Sequence, residues 1–365
     1  MPYTRTLTFN AALGSSTLTN FPMLFCGVYS WLATTTHGGH VTNSNGYDIL
    51  FYSDSGHTTL MDWDLDYYDP TTGTIAAWIK NPSYTTSASP LVYMTYNDPS
   101  ISTFQGNTNG TWDSSFVAVI HLNASGTQND STSNANNLNH NQGTVSFTNT
   151  NALFGYAFDN SGGGLHGLYN SSAVNTPSGA GAFSLSIFFK FPGSPNNSDN
   201  QMISMGQNAG TNVSCGIDAY KPTNVIGLGN SSTFVLGPWT ADNNWHHVCI
   251  MCAASANASA TNVYLDGTLL SITSSGGGTS SPYNLPSSSS YLCINCNAGN
   301  TGAGSVANAY LDEARFSSTQ RSADWITNEA AQINPTSLYM VGSEGGSGAG
   351  SSLILDLGSG VHNHG

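Results

Sequence analysis

The side chains in this sequence best equipped for chemistry are acids and amides, and their spacing suits cations and sugars better than bond cleavage. Asp62-Trp63-Asp64-Leu65-Asp66 sets three carboxylates two residues apart. In a strand that spacing puts all three on one face, with Trp63 and Leu65 on the other. The plain reading is a solvated acidic face; the sharper one is a cation held between carboxylates that otherwise repel. An EF-hand loop is excluded, because its sixth position would be Tyr67 instead of Gly and its twelfth Gly73 instead of Glu. A second oxygen-rich stretch, Asn129 to Asn137, carries Asp130, Asn134 and Asn136. Carboxylate and amide oxygens are what Ca2+ takes as ligands, and they serve turns equally well. Sugars need aromatic faces with polar atoms beside them. Tyr169, Tyr220, Trp239 and Tyr283 stand in turn-rich text and are the glycan-stacking candidates, each also able simply to anchor its loop.

Hydrolytic machinery is not evident. Asp312 and Glu313 are adjacent, so strand alternation sends them to opposite faces, unlike the close acid pair of a retaining glycosidase. His246 and His247 diverge for the same reason. No G-x-S-x-G elbow and no H-E-x-x-H pair occurs. The chain therefore reads as a non-enzyme. Cys249/Cys252 and Cys293/Cys296 form two C-x-x-C pairs, but both lie in strand-like text where residues i and i+3 face opposite ways, which disfavours a zinc knuckle. With Cys26 and Cys215 they read first as buried thiols packing like small apolar groups, and next as disulfides. His362 and His364 have a metal-compatible spacing of two, although a frayed end is the plainer reading.

The elements that must position these groups are strands. Of 365 residues only 7% are charged, against a usual figure of about 25%. Gly, Ser, Thr and Asn take their place, which suits short strands and many turns. The net charge of −14 repels phosphate backbones and anionic membranes, so nucleic acid is not an expected partner. No run reaches the roughly 18 apolar residues of a membrane span, and the opening Met1-Pro2-Tyr3-Thr4-Arg5 begins no signal peptide. Residues 1–98 read as a β-sandwich, with strand-like text such as Ile75-Ala76-Ala77-Trp78-Ile79 between turn clusters. Residues 99–111 read as a linker and 112–342 as a second sandwich. Its clearest core strand is Phe183 to Phe191, where Phe183, Leu185, Ile187, Phe189 and Phe191 share a face. Asp266-Gly267 predicts a type I′ hairpin turn. Asp324 to Gln332 predicts one helix, capped by Ser322 and stopped by Asn334-Pro335. Residues 343–365 read as a Gly/Ser-rich mobile tail with an apolar segment, Leu353 to Leu357, that docks on its own sheet or on a neighbouring copy.

Three phrases occur in order: Trp245-His246-His247-Val248, Tyr264-Leu265-Asp266-Gly267-Thr268, and Tyr310-Leu311-Asp312-Glu313-Ala314-Arg315-Phe316. This series resembles the laminin-G-like, concanavalin A-like jelly roll. The stretches Asn20-Phe21-Pro22, Gly46 to Phe51, Trp78-Ile79-Lys80 and Tyr93 to Asn97 resemble a bacterial and phage β domain of unknown function that commonly precedes such a jelly roll. Together they imply an all-β chain of two tandem sandwiches with a short C-terminal helix. The resemblance also implies a Ca2+ between the Asp130 loop and Asp312, with Asn134 and Asn136 as further ligand candidates. The resemblance extends to glycosidases on related jelly rolls, but the paired-acid strand pattern of those relatives is missing here. The expected role is a non-catalytic attachment or decoration protein on a virion surface, binding glycans and touching capsid, tail or self copies, in keeping with a homo-oligomer. A secreted bacterial carbohydrate-binding adhesin is the alternative, and a glycoside hydrolase the second alternative.

Overall fold

The computed structural model describes residues 2–123, 126–195, 200–207, 211–220, 224–229, 233–287, 290–298 and 306–346. The expected docking segment Leu353 to Leu357 and the pair His362 and His364 lie outside the described residues.

Six strands come from the first hundred residues: β1 (Tyr3–Phe9), β2 (Leu18–Val28), β3 (Leu50–Tyr52), β4 (Trp63–Asp69), β5 (Thr74–Tyr84) and β6 (Leu91–Tyr96). A one-turn helix, α1 (Thr108–Thr111), leads into the next group. That group begins with β7 (Phe116–Ile120), β8 (His140–Gln142), β9 (Phe147–Thr148), β10 (Ala157–Asp159), β11 (Gly167–Ala173) and β12 (Phe183–Lys190). It continues with β13 (Asn200–Gly206), β14 (Ser214–Tyr220), β15 (Val225–Gly229), β16 (Phe234–Pro238) and β17 (His246–Cys252). Then come β18 (Asn262–Leu265), β19 (Thr268–Leu269), β20 (Thr273–Ser275), β21 (Ser290–Ile294) and β22 (Tyr310–Ser317). After α2 (Ala323–Ala331) the chain ends its described part with β23 (Tyr339–Val341) and β24 (Gly345–Gly346).

The second group makes two antiparallel sheets, ordered β19-β18-β17-β12-β22-β10-β9, with β7 also on β22, and β20-β16-β15-β14-β13-β21-β11-β8. Their inner faces enclose one core, in which Phe183, Leu185, Ile187, Phe189 and Phe191 all join, as their alternation predicts. The expected hairpin is present: Asp266 (φ 49°) and Gly267 (φ 78°) both take the left-handed conformation that a type I′ turn demands, and β18 pairs with β19 across them. The expected helix is α2, with Ser322 Oγ accepting from Trp325 N at 3.1 Å.

The first group also makes two sheets, β2-β5-β4 and β23-β1-β6-β3. The latter holds a departure from the expected layout. Residues 339–346, read as the end of the second sandwich and the start of a mobile tail, return to flank β1, with Leu7 opposite Val341 and Thr4 opposite Gly345. Glu344 fastens this return, accepting from Tyr96 Oη at 2.5 Å and pairing with Arg5 at 3.3 Å. The N-terminal sheets pack on the outer face of β12, β17 and β22. Phe188, Val119, Cys249, Met251 and Trp325 share a second core with Trp78, Phe21 and Trp112. Strand β12 is therefore buried on both faces, which its serine-rich outer positions did not announce. No helix among the described residues is long and apolar enough to cross a membrane.

Candidate functional site

Strand β22 crosses the junction between the two cores and breaks the alternation rule. Asp312 stands opposite Phe188 and Arg315 opposite Ser186, so three intervals on β22 match two on β12. The extra residue is a β-bulge, and Glu313 carries the positive φ (53°) that goes with it. Leu311, Ala314 and Phe316 face the jelly-roll core. Arg315 reaches the rings of Trp78 and Trp112 on the other side, and it holds Glu313 by Nη2 to Oε2 at 3.0 Å. The expectation that Asp312 and Glu313 diverge fails here, because the bulge resets the phase between them. Strand β4 contributes a second bulge, a register shift between Leu65 and Tyr67 that leaves Asp66 without a cross-strand partner. The reading of Asp62 to Asp66 as a solvated face fails too. Asp62 pairs with Lys80 in partial exposure, while Asp64 and Asp66 are buried against the jelly roll.

These carboxylates meet His121, which follows β7. Its Nε2 lies 2.9 Å from Asp64 Oδ2 and its Nδ1 lies 2.5 Å from Glu313 Oε1. Trp112 Nε1 donates to Asp64 Oδ2 at 3.0 Å. Arg315 Nη1 reaches Glu329 Oε1 on α2 at 3.1 Å, Ser186 Oγ donates to the same oxygen at 2.7 Å, and His247 stands 3.5 Å away. Burial disfavours charge on Asp64, but the His121 charge and the hydrogen bonds from His121 and Trp112 outweigh it and hold the carboxyl below its ordinary range. Asp66 has no such help. Burial, with Glu313 and Asp64 nearby, pushes it well up despite His121. Asp312 is raised by burial and then by Glu313 and Asp66. Burial would lower His121, yet Glu313, Asp66 and Asp64 together raise it well above the usual imidazole value. Burial opposes ionisation of Glu329 as well, and Arg315 and His247 overcome it, taking the carboxyl down to about 2. His121 is 5% exposed and Glu313 not at all, so no substrate reaches this cluster.

A second imidazole between two carboxylates is partly exposed, 17% of its side chain reaching solvent. His246, on the outer edge of β17, sits 2.7 Å from Asp266 Oδ2 and 2.9 Å from Asp242 Oδ1. The hydrogen bond to Asp266 is the main reason its pKa rises to about 9, with burial opposing and Asp242 assisting. Asp242 falls to about 2, chiefly through its bond to His246. A cleft there is lined by Leu153, Asn244, Trp245, His246, Asp266 and Asn334. It offers an indole, an imidazole, a carboxylate and two amides around one open space.

The sequence-derived candidates fare unevenly. Asp130, Asn134 and Asn136 do share one loop, but the backbone of that loop and of β7 takes up their polar atoms. Asp130 Oδ1 accepts from Val119 N and Thr132 N, and Asp130 Oδ2 accepts from Asn136 N. Asn134 and Asn136 donate to the Val117 carbonyl. Asp312 instead accepts from the backbone of Leu153 and Phe154. Trp239 and Tyr283 are corrected from sugar platforms to core residues: Trp239 packs on Phe189 and Phe191, and Tyr283 on Phe183, so neither shows a face to solvent. Tyr169, stacked on His140 at 5.0 Å, and Tyr220, edge-on to Phe234, remain half-buried. All six cysteines are free and buried. Cys293 and Cys296 nonetheless come together, because β21 ends at Ile294 and Asn295 (φ 57°) turns the chain back. Sequence reasoning missed the His121 and His246 constellations. For the first, the alternating acids of β4 were the signal; for the second, it was Trp245-His246 followed by the Asp266 turn.

The two sheets of the second group form a lectin-like jelly roll. Residues 164–327 match the family profile described as the Concanavalin A-like lectin/glucanases superfamily. No curated protein matches the chain. Among solved structures, domain 4 of AbnA, a GH43 extracellular arabinanase from Geobacillus stearothermophilus in complex with arabinotriose, aligns at 15% identity over 59% of this chain and 98% of that one, with a TM-score of 0.42. A botulinum neurotoxin type C structure, whose cell entry is described as dependent on two ganglioside molecules, aligns at 14% identity over 60% of this chain and 52% of that one, with a TM-score of 0.41. The binding domain of botulinum neurotoxin DC in complex with SialylT gives 13% identity, 60% and 52% coverage and a TM-score of 0.40. The match spans about half the length of these toxin chains.

Proposed function

We propose that this protein is a non-catalytic attachment protein whose jelly roll binds a glycan in the cleft of Trp245, His246 and Asp266. The observation that carries this reading is the chemistry of that cleft: a partly buried indole, packed against the second core, beside a carboxylate and two amides, on the rim of a lectin-like sandwich. The apolar face of a pyranose stacks on an indole while planar polar groups take its hydroxyls. Glycoside hydrolysis asks one acid to hold a proton near neutrality. Among the described residues that line the cleft Asp266 is the one carboxylate, which suits binding better than the acid pair of cleavage.

The same reading puts the protein on a virion surface as a decoration or fibre component, touching neighbouring copies or capsid proteins. Six unbridged thiols suit a chain that folds in a reducing cell interior better than one that passes through a secretory route. A glycan array probed with the full chain tests the lectin claim: retention on a subset of glycans is expected, and silence across the array overturns it. Incubation with a polysaccharide panel tests the non-catalytic claim, which fails if reducing sugar appears above the blank. Neighbouring capsid or tail genes are the expected genomic context; a secretion operon instead would favour a bacterial adhesin.

A further inference from the structure

We propose that Asp66, His121 and Glu313 bind a divalent transition-metal ion, of the zinc or manganese kind, which ties the N-terminal sheets to the jelly roll. One ligand atom from each of the three lies within 4.8 Å of the other two, a spread that a single ion can draw together. They arrive from β4, from the end of β7 and from β22, so the ion would join both units.

Acids near a histidine are common, and two further observations single this group out. Both carboxylate oxygens of Asp66 are buried without a hydrogen bond of ordinary geometry, the Asn123 amide beside them donating instead to the Asp66 carbonyl, and the residue is only 7% exposed. A buried carboxylate without a partner is expensive, and a cation is what relieves it. Both bulges described above turn an acid into this space, and bulges recur where a strand must re-aim a functional side chain.

The donor set decides the class of ion. Ca2+ and Mg2+ take oxygen ligands throughout, whereas an imidazole with two carboxylates is a zinc-type or manganese-type set. With Nε2–H donating to Asp64, the His121 ring is oriented as metal-bound histidines are. Nδ1 then supplies the lone pair, and its proton leaves to solvent.

The test is metal content of the full chain by inductively coupled plasma mass spectrometry, after loading with Zn2+, Mn2+ or Ca2+ separately and desalting. One equivalent of zinc or manganese per chain is expected, lost at least about a hundredfold more readily by Asp66→Asn. Stoichiometric metal that survives unchanged in Asp66→Asn, no retained metal in the wild type, or retention of Ca2+ alone would each overturn the proposal. Should Asp66→Asn fail to fold, anomalous scattering from zinc-loaded wild-type crystals decides. A peak between the three side chains supports the site, and a peak only elsewhere refutes it.

Discussion

Two histidines of this molecule each stand between two carboxylates, at almost the same distances. His121 is sealed between two packed units with further acids behind it; His246 lines a cleft that solvent enters. Around His121 every charge needs a partner, because water cannot screen it, and the cluster acts as a joint. Around His246 water shares the load, so the same groups stay free to exchange a hydrogen bond with a ligand. Local chemistry is alike in the two places, and burial decides what it is for.

The contrast can be broken in steps. Ile187→Asp, directly beneath the sealed face, puts an unpaired charge in the jelly-roll core, where Ile187 is fully buried. A loss of more than about 4 kcal/mol is expected, seen as a chain without the cooperative transition of the wild type in far-UV circular dichroism. Arg315→Ala strands Glu313 and Glu329 together and should cost about 3–5 kcal/mol in urea denaturation. An equivalent loss from any single change around His246 would refute the sealed-versus-open distinction. Acid should probe the sealed site selectively. The folded pKa of Glu329, about 2, lies below its ordinary 4.5, so its contribution is complete above the ordinary value and disappears as pH falls through about 2. The stability gap between wild type and Glu329→Gln should narrow over that fall, and a constant gap would count against the ion pair. The open site gives the smallest effect. His246 is raised to about 9, above its ordinary 6.5, so its favourable pairing is complete below 6.5 and disappears as pH rises through about 9. Asp266→Asn should bring that titration back toward 6.5 in histidine NMR spectra with little change in folding.

What the sequence made legible was local and periodic. The Asp266-Gly267 turn, the Ser322-capped helix and the inward face of β12 follow from rules that act over a few residues, and each is present. Two kinds of feature stayed hidden. The bulges at Glu313 and Asp66 shift strand phase by one, and no side chain announces such a slip. Strict alternation therefore sent Asp312 and Glu313 apart and left Asp64 and Asp66 in water. The other kind is long-range burial. That Trp239 and Tyr283 are core residues, that Ser186 faces Glu329, and that Tyr339–Val341 completes the N-terminal sheet all depend on which surface meets which.

The open cleft is where the proposed function stands or falls, and retention of Trp245→Ala on the glycans that hold the wild type tests it most directly. The account predicts that the variant keeps its fold and loses most of that retention, about 1–3 kcal/mol for a lost aromatic stack of this kind. Undiminished retention by a folded Trp245→Ala chain would contradict it.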